Sequence, residues 1–268
     1  MNKVLILIGF ILSSSVYGQS ENSDQPDSIY KNRHVRKITR FENSPRDLAE
    51  ITYLDRNGRK IRSITYSASY NRKTRKNKGI ERTTHYKYDS NMRLVQIIDS
   101  ISYGVEYTLF FYDSLGRLTK SQDYREKFPD SPNYETHYYY EPFKSIKIQR
   151  RDSLIVYHMT SEYENDFYTK RWYGYTWEPK LKEGLMVVGQ DTSKVQYSDY
   201  KDLQKFNSNT VYANSYNSRG QIISSDINQV FMNDRTWNAK LTYNYYPNGL
   251  LKSIRGYIPD FFEYEYYK

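Results

Sequence analysis

The sequence predicts an all-β fold, an antiparallel meander of repeated hairpins forming a strongly twisted, curled sheet or an incomplete barrel. Three observations carry this. Apolar residues alternate over short runs: Tyr107, Leu109 and Phe111 share one face of EYTLFFYD, and Leu241, Tyr243 and Tyr245 share one face of LTYNYYP, the period of two that marks a half-buried strand. The chain holds 31 Tyr against 11 Phe and 3 Trp, with only 38% hydrophobic residues. Tyrosine favours strands and joins an apolar ring to a wet hydroxyl, so it suits sheets with partly buried faces rather than a thick aliphatic core. Finally, one turn-forming heptad recurs along the chain.

In chain order, the first segment has Lys3 as a short basic region, an apolar run over residues 4–12 and small residues leading to Gly18. This is the pattern of a secretory signal peptide, with cleavage expected between Gly18 and Gln19. The run is too short to span a bilayer, and no later segment has the length of a transmembrane helix. Residues 19–33, polar and interrupted by Pro26, read as a disordered lead-in. One β-repeat domain is expected over residues 34–268.

The heptads are LDRNGRK from Leu54, YDSNMRL from Tyr88, YDSLGRL from Tyr112, YNSRGQI from Tyr216 and YYPNGLL from Tyr245. The template is an aromatic residue, a turn starter, two turn residues, glycine and a return strand. Asp113 caps the turn with its carboxylate, Ser114 and Leu115 occupy the centre of a type I turn, and Gly116 takes a left-handed conformation that rejoins the ladder as a bulge. Asp55 with Gly58, Asp89, Gly220 and Gly249 are assigned equivalent structural roles. YEPFKSI from Tyr140 and YENDFYT from Tyr163 keep the tyrosine and an acid but place Lys144 and Phe167 at the glycine position. The copies recur at intervals of 23–34 residues, and one interval is about twice as long, so a worn copy is expected between Trp172 and Val211.

Tyr112-Asp113 with Gly116-Arg117-Leu118 resembles the YD repeat of the Rhs family, over residues 50–257 and most fully at Tyr88, Tyr112, Tyr216 and Tyr245. The resemblance implies spiralling β-sheets and an exported role at cell surfaces, with carbohydrate binding in some members. This chain is far shorter than the toxin-enclosing shells of that family, so the resemblance speaks to fold more than to delivery. YYPNGLLKSIRGY also resembles MORN-type repeats, but with longer and less regular spacing.

The chain has no cysteine, which removes disulfides, thiolate metal sites, a cysteine nucleophile and a lipid-anchored cysteine. His34, His85, His137 and His158 are scattered without metal-ligand spacing. Asp55, Asp89 and Asp113 are accounted for as turn caps, and no nucleophile elbow or phosphate loop is present. No metal and no cofactor is expected.

Two surfaces are binding candidates. RWYGYTWEP offers Arg171, Trp172, Tyr173, Tyr175 and Trp177, aromatic faces that would stack on sugar rings beside an arginine for their hydroxyls; the competing role is core filling. NRKTRKNKG carries Arg72, Lys73, Arg75, Lys76 and Lys78, a basic loop for acidic glycans or lipid phosphates, or a solvated hairpin tip. The formal net charge of +9 favours acidic partners, and export argues against nucleic acid. The expectation is a soluble periplasmic or secreted, non-enzymatic protein that binds a glycan or an envelope protein. The rivals are a glycan-active hydrolase, a purely structural scaffold and an outer-membrane barrel.

Overall fold

The computed structural model describes residues 25–67, 79–126, 133–151, 154–164, 167–175, 180–182, 185–187, 194–195, 208–230 and 235–268. The signal segment over 1–18, most of the lead-in, and the basic loop with Arg72, Lys73, Arg75, Lys76 and Lys78 lie outside the described residues.

One short helix, α1 (Asp27–Asn32), precedes the strands. They are β1 (Val35–Glu42), β2 (Leu48–Leu54), β3 (Lys60–Tyr66), β4 (Ile80–Tyr88), β5 (Leu94–Ile101), β6 (Gly104–Tyr112), β7 (Leu118–Arg125), β8 (Tyr134–Glu141), β9 (Lys144–Arg151), β10 (Leu154–Glu164) and β11 (Phe167–Tyr175). After these come β12 (Lys180–Lys182), β13 (Leu185–Val187), β14 (Lys194–Val195), β15 (Ser208–Tyr216), β16 (Ile222–Val230), β17 (Thr236–Tyr245), β18 (Leu251–Arg255) and β19 (Asp260–Tyr266). Among the described residues, sixteen strands form an antiparallel meander in chain order, and that order closes as a barrel because β1 pairs with both β2 and β19. Closure leaves the main sheet without an unpaired edge. No helix among the described residues is long and apolar enough to cross a membrane.

The remaining strands, β12, β13 and β14, form a separate three-stranded sheet. β11 pairs directly with β15, with Lys170 opposite Val211 and Tyr173 opposite Ser208. The worn hairpin expected between Trp172 and Val211 is therefore not a member of the main sheet.

The chain divides into two compact units. Of the described residues, one holds those within Leu109–Asn214 and Ser225–Ala239; the other holds those within 25–108, Ser215–Ser224 and Lys240–Lys268. In the second unit, β2 to β5 and β18 to β19 surround buried Leu54, Ile64, Leu250, Leu251 and Ile254, with Ser63, Thr84 and Ser253 as small buried hydroxyls. In the first, Leu118, Ile146, Ile148 and Ile227 are buried alongside Ser121, Thr136 and Ser161. Tyrosine hydroxyls meet serine side chains: Tyr86 with Ser63 at 3.3 Å, Tyr138 with Ser121 at 3.3 Å and Tyr163 with Ser145 at 2.9 Å.

The heptads form one turn. Gly58 N–H donates to the Asp55 carbonyl at 3.0 Å, Gly116 to Asp113 at 3.0 Å, Gly220 to Asn217 at 3.0 Å and Gly249 to Tyr246 at 2.9 Å. Each of these glycines has positive φ, at 81°, 77°, 73° and 86° respectively. The starter carboxylate also meets the return strand. Asp113 Oδ1 accepts from Leu115 N at 2.9 Å and Arg117 N at 2.8 Å, while Oδ2 accepts from Arg117 Nε at 2.7 Å. Asp55 with Arg59 and Asp89 with Arg93 repeat this clasp. In the Asn217 turn an amide pair replaces the ion pair, with Asn217 Nδ2 donating to Gln221 Oε1 at 3.0 Å. The backbone N–H of Arg93 and of Arg117 is the leading cause that holds Asp89 and Asp113 below the usual carboxylate range.

The leading tyrosine is a latch. Tyr88 donates its hydroxyl to the Lys60 carbonyl at 2.8 Å and Tyr245 to Ile222 at 2.8 Å. In both cases the acceptor is the seventh residue of the heptad before it. Burial pushes the Tyr245 hydroxyl up to about 12, so the donor stays protonated.

Three details depart from the sequence reading. Met92 sits at the glycine position of the Tyr88 turn with φ 64°, held by its N–H bond to the Asp89 carbonyl at 3.0 Å. In the Tyr140 copy, Glu141 pairs with Lys144, and the left-handed residue is Phe143, φ 58°, not Lys144. Pro142 fixes the preceding φ, which gives the φ pattern of a type II turn. Phe167 is a strand residue opposite Glu164, not a turn residue. Met92→Gly should raise stability by about 0.5–1 kcal/mol, because glycine reaches a left-handed φ without the Cβ clash. Urea unfolding checks this, and a loss of stability would mean that the Met92 side chain supports the turn.

Candidate functional site

An open groove lies in the second unit, where the β17–β18 turn meets the last strand. β18 and β19 pair with Ser253 opposite Phe261 and Ile254 opposite Asp260. This register brings Tyr246, Pro247 and Asn248 beside Glu263, Tyr264 and Tyr266, which line a groove of about 500 Å³. The rings of Tyr246 and Tyr264 stand edge to face, 6.0 Å apart and inclined at 82°. Each is pinned at its hydroxyl: Tyr246 donates to the Phe262 carbonyl at 3.0 Å and Tyr264 to the Leu251 carbonyl at 2.7 Å. Burial is the main cause that raises both hydroxyls above their ordinary range, with Glu263 adding to it at Tyr246. Both rings therefore stay neutral and fixed in direction.

The remaining wall is wetter. Tyr266 is 44% exposed, and Asn248 Nδ2 donates to its hydroxyl at 3.4 Å. Lys252 Nζ lies 5.6 Å from the centroid of the Tyr246 ring. Glu263 is exposed, whereas the carboxylate two residues on, Glu265, is taken by Arg36 and Lys37 at 2.7 Å each. The groove is anchored from beyond the strands by Gln25, which donates to the Gly249 carbonyl at 2.9 Å and accepts from Leu251 N at 2.9 Å. Rigid aromatic walls, one amide and one free carboxylate form a set suited to holding a polyhydroxylated ring.

The residues chosen from the sequence are placed differently. Trp172, Tyr173 and Tyr175 belong to β11 by backbone pairing, with Trp172 opposite Thr160 and Tyr173 opposite Met159; their side chains, and Trp177 altogether, lie outside the described residues. Arg171 is buried, its guanidinium 4.6 Å from the Tyr168 ring centroid. It is thus a part of the interior of its own unit and not a surface arm for sugar hydroxyls. Burial, with Arg171 adding to it against Asp123, pulls Lys147 down to about 8. His34 and His85 are exposed, and His137 Nε2 meets Glu135 Oε1 at 2.6 Å. No group of three metal-ligating side chains occurs among the described residues. The groove was missed because its two halves are separated in sequence, although NYYPNG and FFEYEYYK are both dense in tyrosine.

No family model and no curated protein matches the chain. Solved structures similar to it include a porin-like protein from Bacteroides uniformis ATCC 8492, 10% identical over 87% of this chain and 97% of that one, with a TM-score of 0.40. They also include the TcdB2-TccC3-Cdc42 structure, 16% identical over 81% of this chain and 12% of that one, TM-score 0.25. The Photorhabdus luminescens Tc holotoxin pore is 15% identical over 78% of this chain and 11% of that one, TM-score 0.23. The chain spans about an eighth of the matched chains in the toxin structures. At these identities and scores the likeness assigns neither family nor activity.

Proposed function

We propose that this is an exported, non-enzymatic YD-like β-repeat protein that binds a glycan in the groove of Tyr246, Pro247, Asn248, Glu263, Tyr264 and Tyr266. The carrying observation is that two tyrosine rings are locked at their hydroxyls while a third, Tyr266, stands open in the same groove, which Glu263 also lines. Fixed rings offer flat faces for sugar C–H groups at low entropic cost, and Asn248 and Glu263 supply the acceptors and donors that orient hydroxyls. Binding is favoured over hydrolysis because cleavage of a glycosidic bond uses two facing carboxyl groups, and Glu263 is the one carboxylate lining the groove. The Asp-x-x-Gly-Arg clasp and the tyrosine latch support the YD-like reading, and the signal-type first segment supports export.

The exposed strand positions favour water over lipid. β17 exposes Thr236, Asn238, Lys240, Thr242 and Asn244, and β4 exposes Glu81, His85 and Lys87 along with Ile80, where a membrane-spanning strand presents a continuous apolar face. A glycan panel followed by calorimetry tests the proposal. Tyr266→Ala should weaken binding by about 1–3 kcal/mol, taking aromatic stacking on flat rings as the guide, and leave the melting temperature unchanged. A wild-type protein that binds nothing on the panel, or a variant that binds equally well, would overturn it.

A further inference from the structure

We propose that the hairpin tips carrying Leu115 and Phe143 insert into the interfacial layer of a phospholipid bilayer, docking the protein on a membrane surface without spanning it. The two tips belong to one unit. Leu115 lies in the β6–β7 turn and Phe143 in the β8–β9 turn, and β7 pairs with β8. In a meander, alternate turns lie at the same end, two strand spacings or roughly 10 Å apart. Leu115 is 69% exposed and Phe143 83% exposed.

Folding does not account for the choice of these residues. Phe143 holds φ 58°, a conformation that costs a bulky side chain energy and glycine none, and its ring covers no core. Its backbone is nevertheless fixed, since the Phe143 carbonyl accepts from Tyr163 N at 3.0 Å in β10. Leu115 occupies the second centre of a type I turn, where almost any polar residue would serve. The result is two rigidly presented apolar side chains held out in water.

The surroundings fit a bilayer better than a protein partner. The tips are separate, divided by Asp113, Ser114 and Glu141, and so do not make the contiguous patch of a protein interface. Arg117 and Lys144 lie beside them, clasped to Asp113 and Glu141, at the depth where lipid phosphates would sit if the tips were inserted. Tyr139, exposed and two residues before the end of β8, adds a ring of the kind that settles at the headgroup level. The chain's +9 charge favours an anionic surface.

Sedimentation of the full chain with vesicles of phosphatidylcholine and phosphatidylglycerol tests this. The wild type should pellet with the vesicles, and Leu115→Ser with Phe143→Ser should lower the partition coefficient at least tenfold without moving the melting temperature. Phe143→Trp should show a blue-shifted emission, relative to the wild type, on addition of the same vesicles. Failure of the wild type to pellet, or equal pelleting of the double variant, overturns the proposal. An unshifted emission from the Phe143→Trp variant also overturns it, as does loss of an envelope-protein partner by the double variant with vesicle binding intact. Glycan binding by the Tyr266 groove is read separately and is unaffected by either outcome.

Discussion

Gly58→Ala is expected to cost about 3 kcal/mol or more, against about 1 kcal/mol for Gly116→Ala, although the two glycines hold the same place in the same turn. Their φ values are 81° and 77°, so the backbone term is shared. What differs is the space around them. A Cβ at Gly116 meets nothing within 4 Å, whereas at Gly58 it would overlap the Asp27 carbonyl oxygen and approach Lys31 N to 2.7 Å. Both are backbone atoms of α1, which cannot rotate away as a side chain would. The helix must shift, which would disturb buried Tyr30. Urea unfolding of both variants measures the difference, and hydrogen exchange at the Arg33 amide, which donates to Ile29 at 3.2 Å, reports whether α1 has been released. Equal losses for the two variants would show that α1 does not rest on the Asp55 turn.

The same contact explains why α1 was hidden from the sequence. Six residues are too few for an isolated helix in water, and DSIYKN follows Pro26 in a polar stretch that reads as disordered. The partner, Gly58, is far along the chain. The turns were legible because a starter acid and a glycine at fixed spacing act within one heptad, and Asp113 and Gly116 illustrate the case. The arginine half of the clasp is equally local, at Arg59, Arg93 and Arg117, but turn capping already accounts for the acid and so leaves the arginine without a visible role in the sequence. The tyrosine latch is not local: Tyr88 serves a carbonyl one hairpin back, so only its identity was visible and not its purpose. The groove depends on the pairing of β18 with β19, which periodicity alone does not fix, and the sequence leaves Arg171 between a sugar-binding surface and the interior because dense aromatic surroundings suit either.

Arg40→Met should destabilise the protein by about 3 kcal/mol at neutral pH, the lower end expected on breaking a buried ion pair, since the guanidinium is partly solvated. Arg40 on β1 reaches Asp260 on β19 at 2.9 Å, with Glu50 at 3.6 Å and Glu42 at 3.8 Å. It therefore ties the strands at which the chain order closes. The Asp260 side chain is only 6% exposed, and burial, opposed by Arg40, holds its carboxyl above the usual range. Because the folded state already binds that proton more tightly than the unfolded chain, ionised Asp260 is a cost above its folded pKa, and the cost fades as the pH falls toward the unfolded value. Removing Arg40 raises the folded value further, so the penalty is larger at pH 7 than in acid and should shrink on acidification toward about pH 4. Glu265 behaves oppositely. Its bonds with Lys37 and Arg36 lower its pKa, so its support is present above the ordinary carboxylate range and disappears as the pH falls through the lowered value. Variant and wild type should thus converge in acid, and Asp260→Asn added to Arg40→Met should recover at least half the loss at pH 7. Urea unfolding at both pH values decides it; a penalty that is independent of pH, or no recovery in the double variant, would mean that Arg40 acts through packing rather than charge.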